Sequence, residues 1–149
     1  MSAECIFCEI VAGTSPVSAF YEDDVVLGLM TIGPVTTGHA MVIPRQHFAY
    51  LNEMDEETGR HLWTVAQRTA EALRHSGVRC EGVNLFLADG AAAAQEIFHV
   101  HLHVFPRYAG DPFKLVADWD IHPPREELDR IAGQLRSAYD RLWAGKAPS

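Results

Sequence analysis

Residues 99–105 read His-Val-His-Leu-His-Val-Phe, and this alternation constrains the chain more than any other feature. Successive side chains of a β-strand point to opposite faces, so His99, His101 and His103 share one face. Val100, Leu102 and Val104 share the other and point into a core. At ~3.3 Å rise per residue, neighbouring histidines on one face stand ~7 Å apart. They can line a groove in series without all binding one atom. A lone histidine on a strand face is an ordinary solvated side chain, whereas three in strict alternation call for a chemical explanation.

Imidazole is a competent nucleophile near neutral pH when held neutral and in the right tautomer. Attack on a phosphoanhydride or phosphoramidate gives a phosphorus–nitrogen bond that water can cleave. Neighbouring imidazoles can orient the nucleophile, donate to phosphate oxygens and protonate the leaving group. A row of histidines can equally hold a catalytic metal.

The surrounding chain supplies a frame for such a strand. Residues 17–22 and 25–32 are β-prone and separated by the acidic turn Glu22-Asp23-Asp24, which reads as a hairpin. His39 to Ile43 forms another strand closed by Pro44, Val83 to Leu87 a fourth, and Phe98 to Phe105 a fifth. Asp55 caps a long helix whose apolar positions Leu62, Val65, Ala66, Thr69 and Leu73 keep helical spacing until Gly77. A second helix follows Pro123-Pro124, with Leu128, Ile131, Leu135, Ala138 and Leu142 on one face and Gly145 as its stop. Strands in consecutive runs favour an antiparallel α+β sheet over a doubly wound one. No repeat or linker divides residues 1–149, which read as one domain.

Composition narrows the function classes. The chain has 149 residues, 48% apolar and 21% charged, which suits one globular domain. No apolar run reaches the ~20 residues needed to span a bilayer, and the start MSAECIFCEI carries no export signal. A cytoplasmic location is therefore expected. The net charge of −8 argues against binding nucleic-acid backbones, but not against a small anion in a locally favourable site.

Three cysteines, Cys5, Cys8 and Cys80, make a disulfide framework improbable in a reducing compartment. Cys80 reads as a small buried apolar residue. Cys5 and Cys8 have the spacing of a zinc knuckle, yet two ligands do not make a site. A redox pair normally follows a strand, and nothing precedes position 5.

With these motifs assembled, the sequence resembles the histidine-triad (HIT) family, whose signature alternates histidine with apolar residues as residues 99–105 do. Cys5-Ile6-Phe7-Cys8, Pro34 to His39, Val42-Ile43-Pro44-Arg45-Gln46-His47, Gln95-Glu96-Ile97-Phe98 and Pro106-Arg107-Tyr108 also resemble bacterial members. The similarity covers residues 5–115. It implies a small α+β domain of about five strands, one long central helix and a C-terminal helix, forming a homodimer through the sheet. It implies a nucleotide hydrolase or transferase with His101 as nucleophile, His103 at the phosphate and leaving group, and His39 beside them. Gln95 would lie in the segment wrapping the phosphate, and Leu29 and Ile32 would form a slot for a base. Zinc-bearing members and the related galactose-1-phosphate uridylyltransferases complete the cysteine pair with two histidines, here His47 and His99. The zinc so held would be structural.

Two positions depart from the family pattern. Thr31 stands where many members carry the Asp that holds the ribose hydroxyls, and Ala88 where many carry Asn or Gln. Losing a carboxylate and an amide removes strong polar contacts, so the expected substrate is not a plain adenosine nucleotide. Phosphoramidate, dinucleoside polyphosphate, nucleotide sugar and a biosynthetic intermediate all remain open. A non-catalytic nucleotide-binding or scaffold protein is the alternative these departures support, and a metalloenzyme using the triad is a third. His61, His75 and His122 read as solvated, Trp63 and Trp143 as packing on helices, and Arg107 as either a phosphate contact or a salt bridge.

Overall fold

The computed structural model describes residues 5–148. The chain divides into two compact units, the first running to Phe113 and the second from Lys114 onward. In the first unit a short helix α1 (Ile6–Val11) precedes strands β1 (Ala19–Glu22), β2 (Val26–Met30) and β3 (Ala40–Pro44). The long helix α2 (Glu56–His75) follows, then β4 (Gly82–Phe86) and β5 (Leu102–Arg107). The five strands make one sheet in the order β1-β2-β3-β5-β4, every pairing antiparallel. This is the α+β architecture expected.

Both faces of the sheet are covered, which explains why β2 and β3 are buried almost throughout rather than alternately. Val26, Ala40, Val42, Val100, Leu102 and Val104 pack on one side with Leu62, Val65, Ala66 and Leu73 of α2. Leu27, Leu29, Met41 and Ile43 point the other way and pack with Cys5 and Phe7 of the N-terminal segment. Helix α2 begins where expected, with the Asp55 carboxylate accepting from the Thr58 N–H at 2.8 Å. Glu56 and Glu57 in its first turn and Arg74 and His75 in its last suit the helix dipole. The β1–β2 turn is fixed by Asp23, whose carboxylate accepts from the N–H groups of Val25 and Val26, each at 2.8 Å. The same carboxylate meets His61 of α2 at 2.6 Å and Tyr21 at 2.7 Å, so His61 is a structural tie rather than a solvated residue.

Three further details differ from the sequence reading. The last strand starts at Leu102, not Phe98. The cause is a change of hydrogen-bond partner: the Val100 N–H donates to the Phe48 oxygen at 2.7 Å and the His99 N–H to the Ile97 oxygen at 2.9 Å. Side-chain alternation survives without the ladder, because Val100 is still buried against α2 and His99 still faces the other side. Helix α1 is absent from the sequence reading, since six residues are too few for a periodic signal. Trp63 is 55% exposed and does not pack into the core.

The second unit contains helix α3 (Arg125–Trp143), followed by Gly145 at φ +73°. It matches the expected helix, with Glu126 and Glu127 in its first turn and Arg141 in its last. None of its residues is buried. No helix among the described residues is long and apolar enough to cross a membrane.

Candidate functional site

His39 precedes β3, and its position depends on the glycine before it. Gly38 sits at φ +95°, where a Cβ would come within 2.8 Å of the Val78 side chain. The turn is fastened by the buried Thr36 hydroxyl, which donates to the Pro106 oxygen at 2.8 Å. His39 thereby faces His103 on β5, with their nearest ring nitrogens 2.8 Å apart.

The hydrogen bonds assign the imidazole tautomers. The Val35 N–H donates to His39 Nδ1 at 3.2 Å, so the neutral ring carries its proton on Nε2. That proton is donated to His103 Nδ1, which leaves the His103 proton on Nε2. His101 Nδ1 lies 2.8 Å from the main-chain oxygen of His99 and must donate to it, which leaves Nε2 with a bare lone pair. No buried side-chain nitrogen or oxygen among the described residues lacks a partner. The two nitrogens with no partner in the protein, Nε2 of His101 and Nε2 of His103, are therefore open to the cavity. The rings of His101 and His103 approach edge to face, 4.9 Å between centroids, closer than ideal strand spacing because they lean together.

Burial keeps these rings neutral. It pushes the titration of His39 and His101 below the usual histidine range, although the His99 carbonyl partly opposes this for His101. His103 is pushed down to about 4, first by burial and then by the neighbouring His101 and His39.

These histidines open on a cavity of about 860 Å³ whose wall is mostly apolar, including Ile6, Phe7, Ile10, Leu29, Met41 and Ile97. Thr31 and Ile32 line it too, but Ala88 and Gln95 do not. Gln95 is buried and braces the preceding loop: its Oε1 accepts from the Gly90 N–H at 2.7 Å, and its Nε2 donates to the Ala49 oxygen at 2.8 Å. The Thr31 hydroxyl accepts from the Gly33 N–H at 3.3 Å, within its own loop. Among the described residues no lysine or arginine lines the cavity, and Glu96 is the acidic residue that does. Arg107 is occupied elsewhere, bonding Asp111 at 2.6 and 3.0 Å, the Phe113 oxygen at 3.0 Å and Asn84. The apolar wall residues on α1 escaped the sequence reading, as did the main-chain groups of Val35 and His99 that fix the tautomers. Only Ile6 and Phe7, between two cysteines, left a trace there.

Behind the histidines, Cys5, Cys8, His47 and His99 bring their ligand atoms within 4.8 Å of one another. Cys8 Sγ is 3.3 Å from His47 Nδ1 and 3.7 Å from His99 Nδ1, and Cys5 Sγ is 3.5 Å from His99 Nδ1. A tetrahedral zinc ion with Zn–S of ~2.3 Å and Zn–N of ~2.05 Å requires sulfur–nitrogen edges of about 3.6 Å. The donor set fits that ion. His99 Nε2 lies 2.8 Å from the Pro44 oxygen and donates to it, so Nδ1 presents its lone pair to the thiols. Four protein donors leave no open position, which is the arrangement of a structural ion.

Comparison with known proteins places this geometry. The HIT domain profile matches residues 12–110. An uncharacterized HIT-like protein of Borreliella burgdorferi is 40% identical over 133 residues, covering 89% of this chain and 96% of that protein. A crystal structure of a Zn-bound histidine triad family protein from Mycobacterium smegmatis superposes with a TM-score of 0.73 at 42% identity, covering 93% of this chain and 99% of that one. Two relatives carry named activities. One is the adenylylsulfatase HINT3 of Arabidopsis thaliana, 33% identical over 93% of this chain and 68% of that protein. The other is the adenosine 5'-monophosphoramidase hnt1 of Schizosaccharomyces pombe, 29% identical over 89% of this chain and 96% of that protein. With the profile matched across most of its length and the triad, sheet and cysteine–histidine cluster in place, the chain belongs to the HIT domain family.

Proposed function

We propose that this protein is a nucleotidyl hydrolase or transferase working through a covalent intermediate on His101. The observation that carries this reading is the pair of cavity-facing nitrogens: a bare lone pair on His101 Nε2 beside an N–H on His103 Nε2. In the first step His101 Nε2 attacks the substrate phosphorus, and the bond from phosphorus to the leaving group breaks. His103 Nε2 gives its proton to that leaving group. In the second step water attacks phosphorus, the phosphorus–nitrogen bond breaks, and the water proton restores His103. His39 keeps the His103 proton on the cavity side. Zinc held by Cys5, Cys8, His47 and His99 would anchor the N-terminal segment and supply no chemistry to either step.

The cavity wall narrows the substrate. Neutral imidazoles and no cationic side chain favour one phosphoryl group over a polyphosphate chain, because several desolvated charges would lack counter-charges. A nucleoside phosphoramidate or a mixed anhydride of a nucleoside monophosphate fits, in keeping with the named activities of the two relatives. The apolar wall around Leu29 and Ile32 suits a base. Strand β4 is a sheet edge with no proline or lysine to guard it, and a homodimer formed by joining two such edges is part of the proposal. The test is turnover of nucleoside 5′-phosphoramidates, adenylyl sulfate and dinucleoside polyphosphates by wild type and His101→Ala. Loss of phosphoramidate turnover in the variant supports the reading. Equal turnover by both proteins would take the chemistry away from His101, and none by folded wild type would point instead to a binding protein.

A further inference from the structure

Phe7 is the buried residue of α1, 3% exposed, and its ring neighbours are His101 of the cavity and His99 of the cysteine–histidine cluster. Its ring meets His101 edge-on at 5.3 Å between centroids with 62° between planes, and His99 at 5.6 Å and 84°. It stands between Cys5 and Cys8 in sequence, so both ends of its short segment are tied to the cysteine–histidine cluster. Six residues do not hold a helix by themselves, and Cys5 at its N-cap makes no side-chain capping bond. Helix α1 is therefore held by the thiols and by packing, in which Phe7 is the buried residue and Ile10 and Val11 lie at its margin.

We infer that Phe7 is a positioning residue for His101, through which the cysteine–histidine cluster holds the attacking imidazole in line. This rests on His101 being the nucleophile. One hydrogen bond at Nδ1 fixes the tautomer of His101 but leaves the ring free to rock about that bond. His103 stands against it at 4.9 Å and Phe7 at 5.3 Å. With the Phe7 ring removed, that contact is lost and Nε2 can swing away from the line of attack. A misplacement of about 1 Å costs on the order of 100-fold in rate. Losing a cysteine anchor has the same consequence, because it frees the segment that carries the ring.

The test uses the full-length zinc-loaded protein and its Phe7→Leu, Phe7→Ala and Cys8→Ser variants. Single-turnover formation of the nucleotidyl-enzyme gives the rate of attack, and titration with a nucleoside monophosphate gives binding. Phe7→Ala should slow attack about 100-fold while the Kd for the monophosphate changes by less than about 3-fold, and Phe7→Leu should recover most of the rate. Adding Cys8→Ser to Phe7→Ala should slow attack little further, because the two act through one ring. The His101 ring proton, seen by nitrogen-edited NMR and protected in wild type by its bond to the His99 oxygen, should exchange faster in Phe7→Ala. Weaker monophosphate binding with unchanged attack would leave Phe7 as cavity wall and nothing more, and overturn the inference. So would an unchanged His101 proton in the Leu and Ala variants. The NMR readout needs no turnover, so a failure of covalent chemistry at His101 would show separately as full activity in His101→Ala.

Discussion

The imidazole of His101 donates from Nδ1 to the main-chain oxygen of His99, 2.8 Å away, and so turns its bare Nε2 to the cavity. The residue supplying that oxygen also belongs to the cysteine–histidine cluster, so one short stretch of backbone serves both that cluster and the proposed nucleophile.

The proposed chemistry requires His101 itself. Replacing it with alanine should abolish the covalent intermediate and lower kcat by at least about 1000-fold. Mass spectrometry of enzyme quenched in alkaline denaturant, where a phosphorus–nitrogen bond survives, checks this, because a nucleotidyl adduct persisting in His101→Ala would remove that residue from the reaction.

His39 acts one step further back, holding His103 Nδ1 so that the His103 proton faces the cavity. His39→Ala should slow the reaction about 100-fold for an amine leaving group that must be protonated. A phosphorofluoridate, whose leaving group needs no proton, should lose much less. Equal losses for both substrates would mean that His39 does not act on protonation.

Titration of the buried histidines sets the acid limb. His103 is held down to about 4 and His39 below its ordinary value, so both stay neutral as pH falls through the usual histidine range. Activity should therefore persist below pH ~6.5 and fall as the attacking His101 and then His103, the latter near pH ~4, gain protons. Stability follows the same groups. The unfolded chain binds protons from pH ~6.5 downward while the folded one does not, so stability is full above that pH and is lost progressively towards pH ~4. Thermal melts from pH 4 to 7.5 should show Tm rising with pH over that window. A flat profile would contradict the burial of these rings.

Zinc removal should act on the fold first. Purified protein should carry about one zinc per chain, and a chelator should lower Tm by roughly 10 °C or more. Turnover should decay with the slow loss of zinc rather than at once. Immediate, complete inhibition by the chelator would make the ion a participant in catalysis.

Thr31 lines the cavity with its hydroxyl engaged by the Gly33 N–H, and brings no carboxylate to a ribose. Thr31→Asp should raise kcat/KM for adenosine substrates by about 10-fold, as two new hydrogen bonds to a diol allow. A direct comparison of ribose and 2′-deoxyribose substrates measures it. No gain from the substitution would mean that ribose is bound from another part of the wall.

The order of residues 99–105 determined by itself that three histidines face one way and three apolar residues the other. That follows from the two-residue period of extended backbone, which holds even where no ladder forms at His99 and His101. Helix α2 was equally legible, because its apolar spacing, Asp55 cap and terminal glycine are local signals. Local signals do not report which main-chain atom a ring nitrogen will meet. The tautomers of His39, His101 and His103 depend on Val35 and on the His99 carbonyl, and the pairing of His39 with His103 spans 64 residues of sequence. The sequence offered Cys5 and Cys8 as half a metal site. Only the packing of the N-terminal segment against β3 and the residues before β5 brought their sulfurs to His47 and His99, with Phe7 beside His101. Such long-range contacts arise from burying apolar surface on both faces of one sheet, a condition the whole chain satisfies together and no single segment encodes.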